Sequence, residues 1–179
     1  MLIKILIAVA VVVVLFVVVV AMQPAGFRVT RFATIGAPPA IVFSHVNDLH
    51  NWEAWSPWAK LDPAAKNTYD GASFGVGAGF GWSGNNQVGH GHMTITESKP
   101  CELVRIKLEF LKPFKAINTA EFTFKPEGDG TGVTWSMTGQ RNFVMKAFGL
   151  FMDCDKMCGD QFEKGLAQLN SVAGSLALK

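Results

Sequence analysis

The spacing of apolar residues changes once along this chain, and that change constrains the fold more than any other feature. In one segment Val104, Ile106, Leu108 and Phe110 alternate with polar residues, as in a strand with one buried face. Beyond Asn142 the apolar residues recur at three- and four-residue steps, which indicates an amphipathic helix of about seven turns. Strands followed by one long helix predict an α+β fold, in which a curved antiparallel sheet wraps around a long C-terminal helix.

The beginning of the chain is an apolar run that covers residues 5–22 without interruption. Such a run makes a helix of roughly 27 Å, close to the bilayer core of about 30 Å. We therefore predict that residues 1–22 are a transmembrane anchor or an uncleaved signal, and cleavage near Ala21 stays open as an alternative. Residues 23–26 contain Pro and Gly and are predicted to be a short linker before a single domain at 27–179.

The charges that flank the apolar run indicate how it would be oriented. Lys4 precedes the run, and Arg28 and Arg31 follow it, so the count of positive charges nearly balances. A short N-terminal tail with a lysine at its end favours the cytoplasm. We expect a single-pass protein of a bacterial inner membrane with its domain on the extracytoplasmic side.

Composition and short motifs exclude several classes of function. The net charge is +2 and the basic residues are scattered, so we expect no nucleic-acid partner. The three cysteines follow no disulfide or zinc pattern, and His90 with His92 is too small a set for a metal site, so we expect no metal. The GxGxxG match at residues 79–84 is followed by strands rather than by a helix, so we expect no nucleotide cofactor.

Several segments, taken in order, resemble one known family. They are Ala37-Pro38-Pro39 with Val42-Phe43, the Trp52, Trp55, Pro57 and Trp58 cluster, Ile95-Thr96-Glu97, residues 124–131 and residues 162–166. Together they are similar to the SRPBCC, or START-like, superfamily and to its polyketide cyclase/dehydrase-like branch. The resemblance covers nearly all of the chain from Phe27 onward. It implies a helix-grip fold with a deep hydrophobic cavity between the sheet and the C-terminal helix.

Members of that superfamily bind lipids, sterols, polyketides or other apolar molecules, and a minority are enzymes. The resemblance therefore implies a membrane-tethered binder of a hydrophobic small molecule or lipid. A cyclase or dehydratase-type enzyme is the alternative, and a chaperone-like protein-interaction module is a second one. The expected ligand-binding residues are Trp55, Trp58, Phe80, Trp82, Val104, Ile106, Asn118, Phe122, Trp135, Met137, Phe151, Asp155 and Cys158.

Three of these features have open alternatives. A count of 100° per residue from Phe151 places Asp155 within the apolar stripe of the helix, where desolvation would make it a candidate acid or base. The alternative is a buried carboxylate paired with Arg141 or with a backbone N–H, or a carboxylate near a helix kink. Asn118, on an otherwise apolar strand face, raises the same question. The tryptophan cluster either forms the mouth of the ligand site or closes the end of the sheet. The oligomeric state is not predicted.

Overall fold

A computed structural model describes residues 1–177 of the chain. The elements, in chain order, are α1 (Leu2–Met22), β1 (Gly26–Ile35), α2 (Pro39–Asn47), a 3-10 turn (Leu49–Asn51), α3 (Trp52–Trp55), β2 (Lys66–Gly71), β3 (Ala78–Ser83), β4 (His90–Lys99), β5 (Leu103–Lys112), β6 (Ala116–Glu127), β7 (Gly130–Gln140), α4 (Phe143–Gly149) and α5 (Cys154–Ala177). The predicted end of the domain at residue 179 lies outside the described residues.

The seven strands form one curved antiparallel sheet in the order β1-β7-β6-β5-β4-β3-β2. Its pairing brings the start of β1, the end of β7, the start of β6 and the end of β5 together, because Gly26 pairs with Gln140 and Phe110 with Ala116. This end of the sheet is called the α1 end, since α1 connects to it directly. The other end is called the far end.

The long helix α5 runs along β1 from the α1 end toward the far end. The side chain of Asn170 accepts a hydrogen bond from Gly36 N–H, just beyond the end of β1. The apolar face of α5 consists of Phe162, Leu166, Leu169 and Ala173, all nearly completely buried. These residues pack on the concave face of the sheet, so the predicted α+β architecture and helix-grip arrangement are confirmed.

The prediction of one continuous C-terminal helix is wrong in its first part. The structure has two helices, α4 and α5, with a non-helical link at residues 150–153. Each helix has its own N-terminal cap, because Asn142 Oδ1 accepts from Met145 N–H and Asp153 Oδ1 accepts from Lys156 N–H. The three- and four-residue apolar spacing runs through the break, so the spacing alone did not reveal it.

The first helix, α1, is long and apolar enough to cross a bilayer, a property that it shares with signal sequences. Its last turn packs against α4, and Val20 is fully buried there. The chain becomes extended at Gln23, and β1 begins at Gly26. Three residues therefore separate the helix from the sheet.

Candidate functional site

The concave face of the sheet is covered unevenly. In the middle and toward the far end, α2, α3 and α5 pack over it. At the α1 end the same face carries large apolar side chains that are only partly buried. They are called the apolar trough, and they are Phe27, Phe80, Trp82, Leu108 and Phe110. Met137, an expected ligand-binding residue on the same face, is buried at 8% exposure.

The strand register explains why these side chains are neighbours. Trp82 pairs with Gly91, and Gly91 pairs with Phe110, so the three positions share one face across β3, β4 and β5. Phe80, Met93 and Leu108 form the next row in the same way. Most of the contacts between α5 and the sheet are with β1. Phe80 and Trp82 on β3 and Leu108 and Phe110 on β5 stay partly exposed, whereas Met93 between them is buried.

Trp82 is held flat over the sheet. Its indole N–H donates to the Val88 carbonyl at 3.0 Å, and its ring stacks on Phe80 with centroids 6.2 Å apart. The edge of Phe110 completes the contact at 5.8 Å. A Cβ on Gly91 would overlap the indole, so glycine at this position lets the ring lie against the backbone. The trough therefore has a rigid aromatic floor.

Asn118 is the polar group beside this floor. Its side chain lies against Gly139, it is 8% exposed, and its Nδ2 approaches Met137 Sδ at 3.8 Å. Its Oδ1 has no hydrogen-bond partner among the described residues. A buried acceptor without a donor costs about 1–3 kcal/mol. The expectation of a polar group on the apolar strand face is met, and that group has a free acceptor.

The remaining expected ligand-binding residues divide into a core group and a surface group. Trp55, Val104, Ile106, Phe122 and Trp135 are 0–2% exposed and touch no space that a water molecule enters. Trp52 and Trp55 each meet Phe122 and Trp135 edge to face, and Trp135 stacks on Phe122 at 4.7 Å. The structure therefore supports the alternative that the tryptophan cluster closes the sheet. A ligand-binding role for these five residues would require the core to open.

Trp58 and Cys158 lie at the margin of that core. Trp58 is partly buried and meets Trp135 and Phe162 edge to face. Cys158 is also partly buried, and burial raises the pKa of its thiol. Both side chains pack on the apolar core.

The expected position of Asp155 in a cavity is wrong. Its side chain is 55% exposed, and Oδ2 lies 3.1 Å from Nη2 of Arg31, which also donates to Glu163 Oε1 at 2.8 Å. Hydrogen bonding to Asp155, followed by that to Glu163, raises the pKa of Arg31. Asp155 lies three residues before Cys158 and seven before Phe162, on the apolar side of α5, but it is in the first turn of the helix, where that side reaches the surface. Asp155 is paired, as the alternative expected, but it is exposed instead of buried, and its partner is Arg31 instead of Arg141.

Phe151 also lies outside the concave face. It is 80% exposed and stacks on Phe16 of α1 with ring centroids 6.5 Å apart. It belongs to the link between α4 and α5, so its side chain is not part of the α5 stripe. The expected role of Phe151 inside a cavity is therefore not supported by its position.

The sequence analysis missed two residues whose side chains depend on tertiary packing. His45 is buried, both of its ring nitrogens lack a partner in the described part of the chain, and burial lowers its pKa. Arg31 is the second residue. From the sequence it was considered only as a charge that affects membrane orientation, and its pairing with α5 was not predicted. Asp155, Gly159 and Glu163 are spaced four residues apart and so lie on one face of the helix. Two carboxylates with a glycine between them indicate a place for a basic side chain such as that of Arg31.

The two strand histidines lie on the convex face. His90 Nδ1 is 3.1 Å from Ser83 Oγ, and His92 Nε2 is 3.2 Å from Asp70 Oδ2. Within residues 1–177, no group of three or more His, Cys, Asp or Glu side chains is arranged to hold a metal ion.

Two open clefts also lie at the α1 end. One, of about 480 Å³, lies over the first residues of β1 on the convex side and includes Arg28, Thr119 and Thr138. The other, of about 350 Å³, lies at the junction of α4 and α5 beside Arg141. Arg141 itself lies over the ring of Phe27 at 5.4 Å, at the edge of the trough.

Comparisons with known proteins agree with this architecture. A model of the family described as polyketide cyclase / dehydrase and lipid transport matches residues 26–174. A search of curated proteins finds no match.

Solved structures of the same fold come from several organisms. Protein CV1439 of Chromobacterium violaceum is 16% identical, with a TM-score of 0.59 over 84% of this chain and 98% of that chain. Protein MLL2253 of Mesorhizobium loti is 18% identical, with a TM-score of 0.61 over 83% and 98%. Major latex-like protein 151 of Panax ginseng is 13% identical, with a TM-score of 0.62 over 84% and 99%. At these identities the likeness concerns the fold alone.

Proposed function

The chain belongs to the polyketide cyclase / dehydrase and lipid transport family, and from this membership we propose that it binds a hydrophobic small molecule or lipid in the apolar trough while α1 tethers it to a membrane. The observation that carries the proposal is the partly exposed aromatic floor at the α1 end of the concave face, with the free acceptor of Asn118 beside it. A site that combines apolar walls with a few polar groups is the usual design for small-molecule binding.

The dimensions of the trough suit a ligand with one long apolar part. Phe80, Trp82, Leu108 and Phe110 supply neighbouring rows on three strands, so a chain or fused-ring body has contact along its length. Asn118 would accept a hydrogen bond from a hydroxyl or amide at one end of the ligand. The burial of apolar ligand surface would provide most of the affinity.

The proposed tether rests on the length of α1 and on its short connection to the sheet. Twenty-one helical residues span about 32 Å, which matches the hydrocarbon core of a bilayer. Only three residues follow before β1 begins, so the α1 end of the sheet would lie at the bilayer surface. The position of Lys4 favours a single-pass orientation in a bacterial inner membrane, with the domain on the extracytoplasmic side.

The enzyme alternative has less support than binding. It depended on Asp155 as a cavity carboxylate, and Asp155 instead pairs with Arg31 at the surface. Asn118 alone orients or binds a polar group but does not titrate. We therefore propose a binding or transfer function.

Photo-crosslinking with the full chain tests the proposal. The chain is reconstituted in phospholipid vesicles with a long-chain fatty acid that carries a diazirine, irradiated and mapped by peptide mass spectrometry. Labels on β3 and β5, at Phe80, Trp82 or Leu108, are the expected result. Labels confined to α1, with none on the concave face, would contradict a ligand site in the trough.

A further inference from the structure

The α1 end of the molecule carries a second apolar surface, distinct from the trough, that faces away from the protein. Its side chains come from the β5–β6 connection and from the α4 region, and they range from 36% to 80% exposed. We call this surface the apolar rim and define it by Leu111, Phe114, Ile117, Phe148, Leu150 and Phe151.

The rim is continuous from the β5–β6 connection to α1. Phe114 contacts Phe148 of α4 with ring centroids 6.4 Å apart. Phe151, in the link after α4, stacks on Phe16 of α1 at 6.5 Å. Exposed apolar surfaces of this extent on a folded domain mark a protein or membrane contact.

The contact with Phe16 identifies the bilayer as the occupant. Phe16 lies six residues before Met22, the last residue of α1, which is about 9 Å along the helix axis. If α1 spans a bilayer, Phe16 is below the headgroups and its stacking partner Phe151 is there too. A soluble protein partner does not reach that depth, whereas acyl chains surround both rings without further rearrangement.

The packing of α1 keeps the rim at this depth. Val20, in the last turn of α1, is fully buried, and Lys146 Nζ of α4 lies 3.5 Å from the Ala21 carbonyl. The end of α1 and α4 are thus packed against each other. The rim therefore has a fixed position relative to the proposed membrane-spanning helix.

The charges around the rim are complementary to anionic headgroups. Lys112 and Lys115 flank Phe114 and are exposed, and Lys146 lies within α4. The nearby carboxylates are engaged: Glu109, opposite Ile117, pairs with Lys107, Asp155 pairs with Arg31, and Asp153 caps the first turn of α5. Apolar side chains bordered by lysines are the pattern of an interfacial membrane segment.

The rim and the trough share the same strands. Phe110 of the trough is followed directly by Leu111 of the rim, and Asn118 beside the trough directly follows Ile117. Because side chains alternate between the two faces of a strand, Leu111 and Ile117 lie on the convex face, at the same end of the sheet as the trough. We propose that the apolar rim is inserted in the outer part of the bilayer, so that the trough opens toward the lipid phase and takes its ligand from the membrane.

This inference rests on the proposed tether, and the test separates the two. In a background with the three native cysteines changed to alanine, single cysteines are introduced by Phe151→Cys, Phe114→Cys, Val12→Cys and Phe74→Cys. Each full-length variant is labelled with the environment-sensitive fluorophore NBD. It is reconstituted in vesicles of phosphatidylcholine and phosphatidylglycerol that carry a nitroxide either on the acyl chain or on the headgroup.

We expect the labels at residues 151 and 114 to be quenched by acyl-chain nitroxides. This quenching should be about as strong as that by headgroup nitroxides, or stronger. The label at residue 12, within α1, should be quenched by acyl-chain nitroxides, and the label at residue 74, toward the far end and 66% exposed, by neither. Quenching at residue 12 without quenching at 151 and 114 would overturn the rim insertion and keep the tether. A lack of quenching at residue 12 would overturn both.

Discussion

The ring of Phe162 stacks face to face on Trp135, with centroids 4.2 Å apart and planes inclined by 6°. This contact joins α5 to the centre of the concave face. Gly165 makes it possible, because a Cβ there would lie 2.8 Å from Trp135 Cζ3. The same stack closes the middle of the fold, which leaves the α1 end as the accessible part of the concave face.

We expect Phe162→Ala to destabilise the domain by about 3–5 kcal/mol, because it removes a fully buried ring and leaves a cavity. Chemical denaturation of the full chain in a mild detergent measures the change in free energy of unfolding. The matched control is Phe32→Ala on the convex face, where the ring is 59% exposed, and it should cost much less. Equal losses for the two variants would contradict the importance of the Trp135 stack.

Two glycines of α5 give opposite predictions for the same substitution. Gly174 has open space around it, so Gly174→Ala should stabilise the helix by about 0.5–1 kcal/mol. Gly159 lies under the guanidinium of Arg31, and a Cβ would overlap it. Gly159→Ala should therefore lower the melting temperature, since Arg31 must leave Asp155 and Glu163. A higher melting temperature for both variants would contradict the observed packing of Arg31.

The stability of the fold should depend on the protonation of His45. Burial lowers its pKa in the folded state relative to about 6.5 in the unfolded chain. The unfolded state therefore binds the proton more readily, so stability is retained above that value and is lost as the pH falls toward the folded-state pKa. The free energy of unfolding should decrease from about pH 7 to about pH 5, and this decrease should be smaller in His45→Leu. An unchanged slope in the variant would exclude His45 as its source.

Asn118→Leu should weaken ligand binding without lowering the stability of the fold. The substitution removes a buried acceptor that lacks a partner within the described residues, so the fold should be at least as stable. A ligand that donates a hydrogen bond, such as a long-chain alcohol, should bind about three- to tenfold more weakly. The corresponding alkane lacks the donor and is the control ligand. Equal effects on both ligands would contradict a polar contact at Asn118.

The sheet was predictable because its signals are local. Alternation of apolar and polar residues identified the inner face of β5. The turn between β6 and β7 lies at Glu127-Gly128-Asp129-Gly130, within one of the segments that carry the family resemblance. Gly128 occupies that turn with a positive φ of 56°, which glycine adopts without strain. The family resemblance then gave the helix-grip arrangement, which the local patterns alone do not specify.

The accessible part of the site was less predictable because it depends on where the C-terminal helix is interrupted. Capping by Asn142 and Asp153 divides the helix and moves Phe151 toward α1. Asp155 then meets Arg31, a residue far away in sequence. Long-range pairings of this kind leave little trace in periodicity. The sequence also did not distinguish the closed aromatic core from the accessible trough, since both have the same apolar pattern.

The most direct test of ligand binding in the trough is to fill the trough with a larger side chain. The dissociation constant of a fluorescent long-chain fatty acid is measured with the full chain in amphipol, for Leu108→Trp and for the convex-face control Phe32→Trp. We expect binding by the unmodified chain, at least about tenfold weaker binding for Leu108→Trp, and no change for Phe32→Trp. Equal affinity in all three proteins would contradict the assignment of the trough as the ligand site.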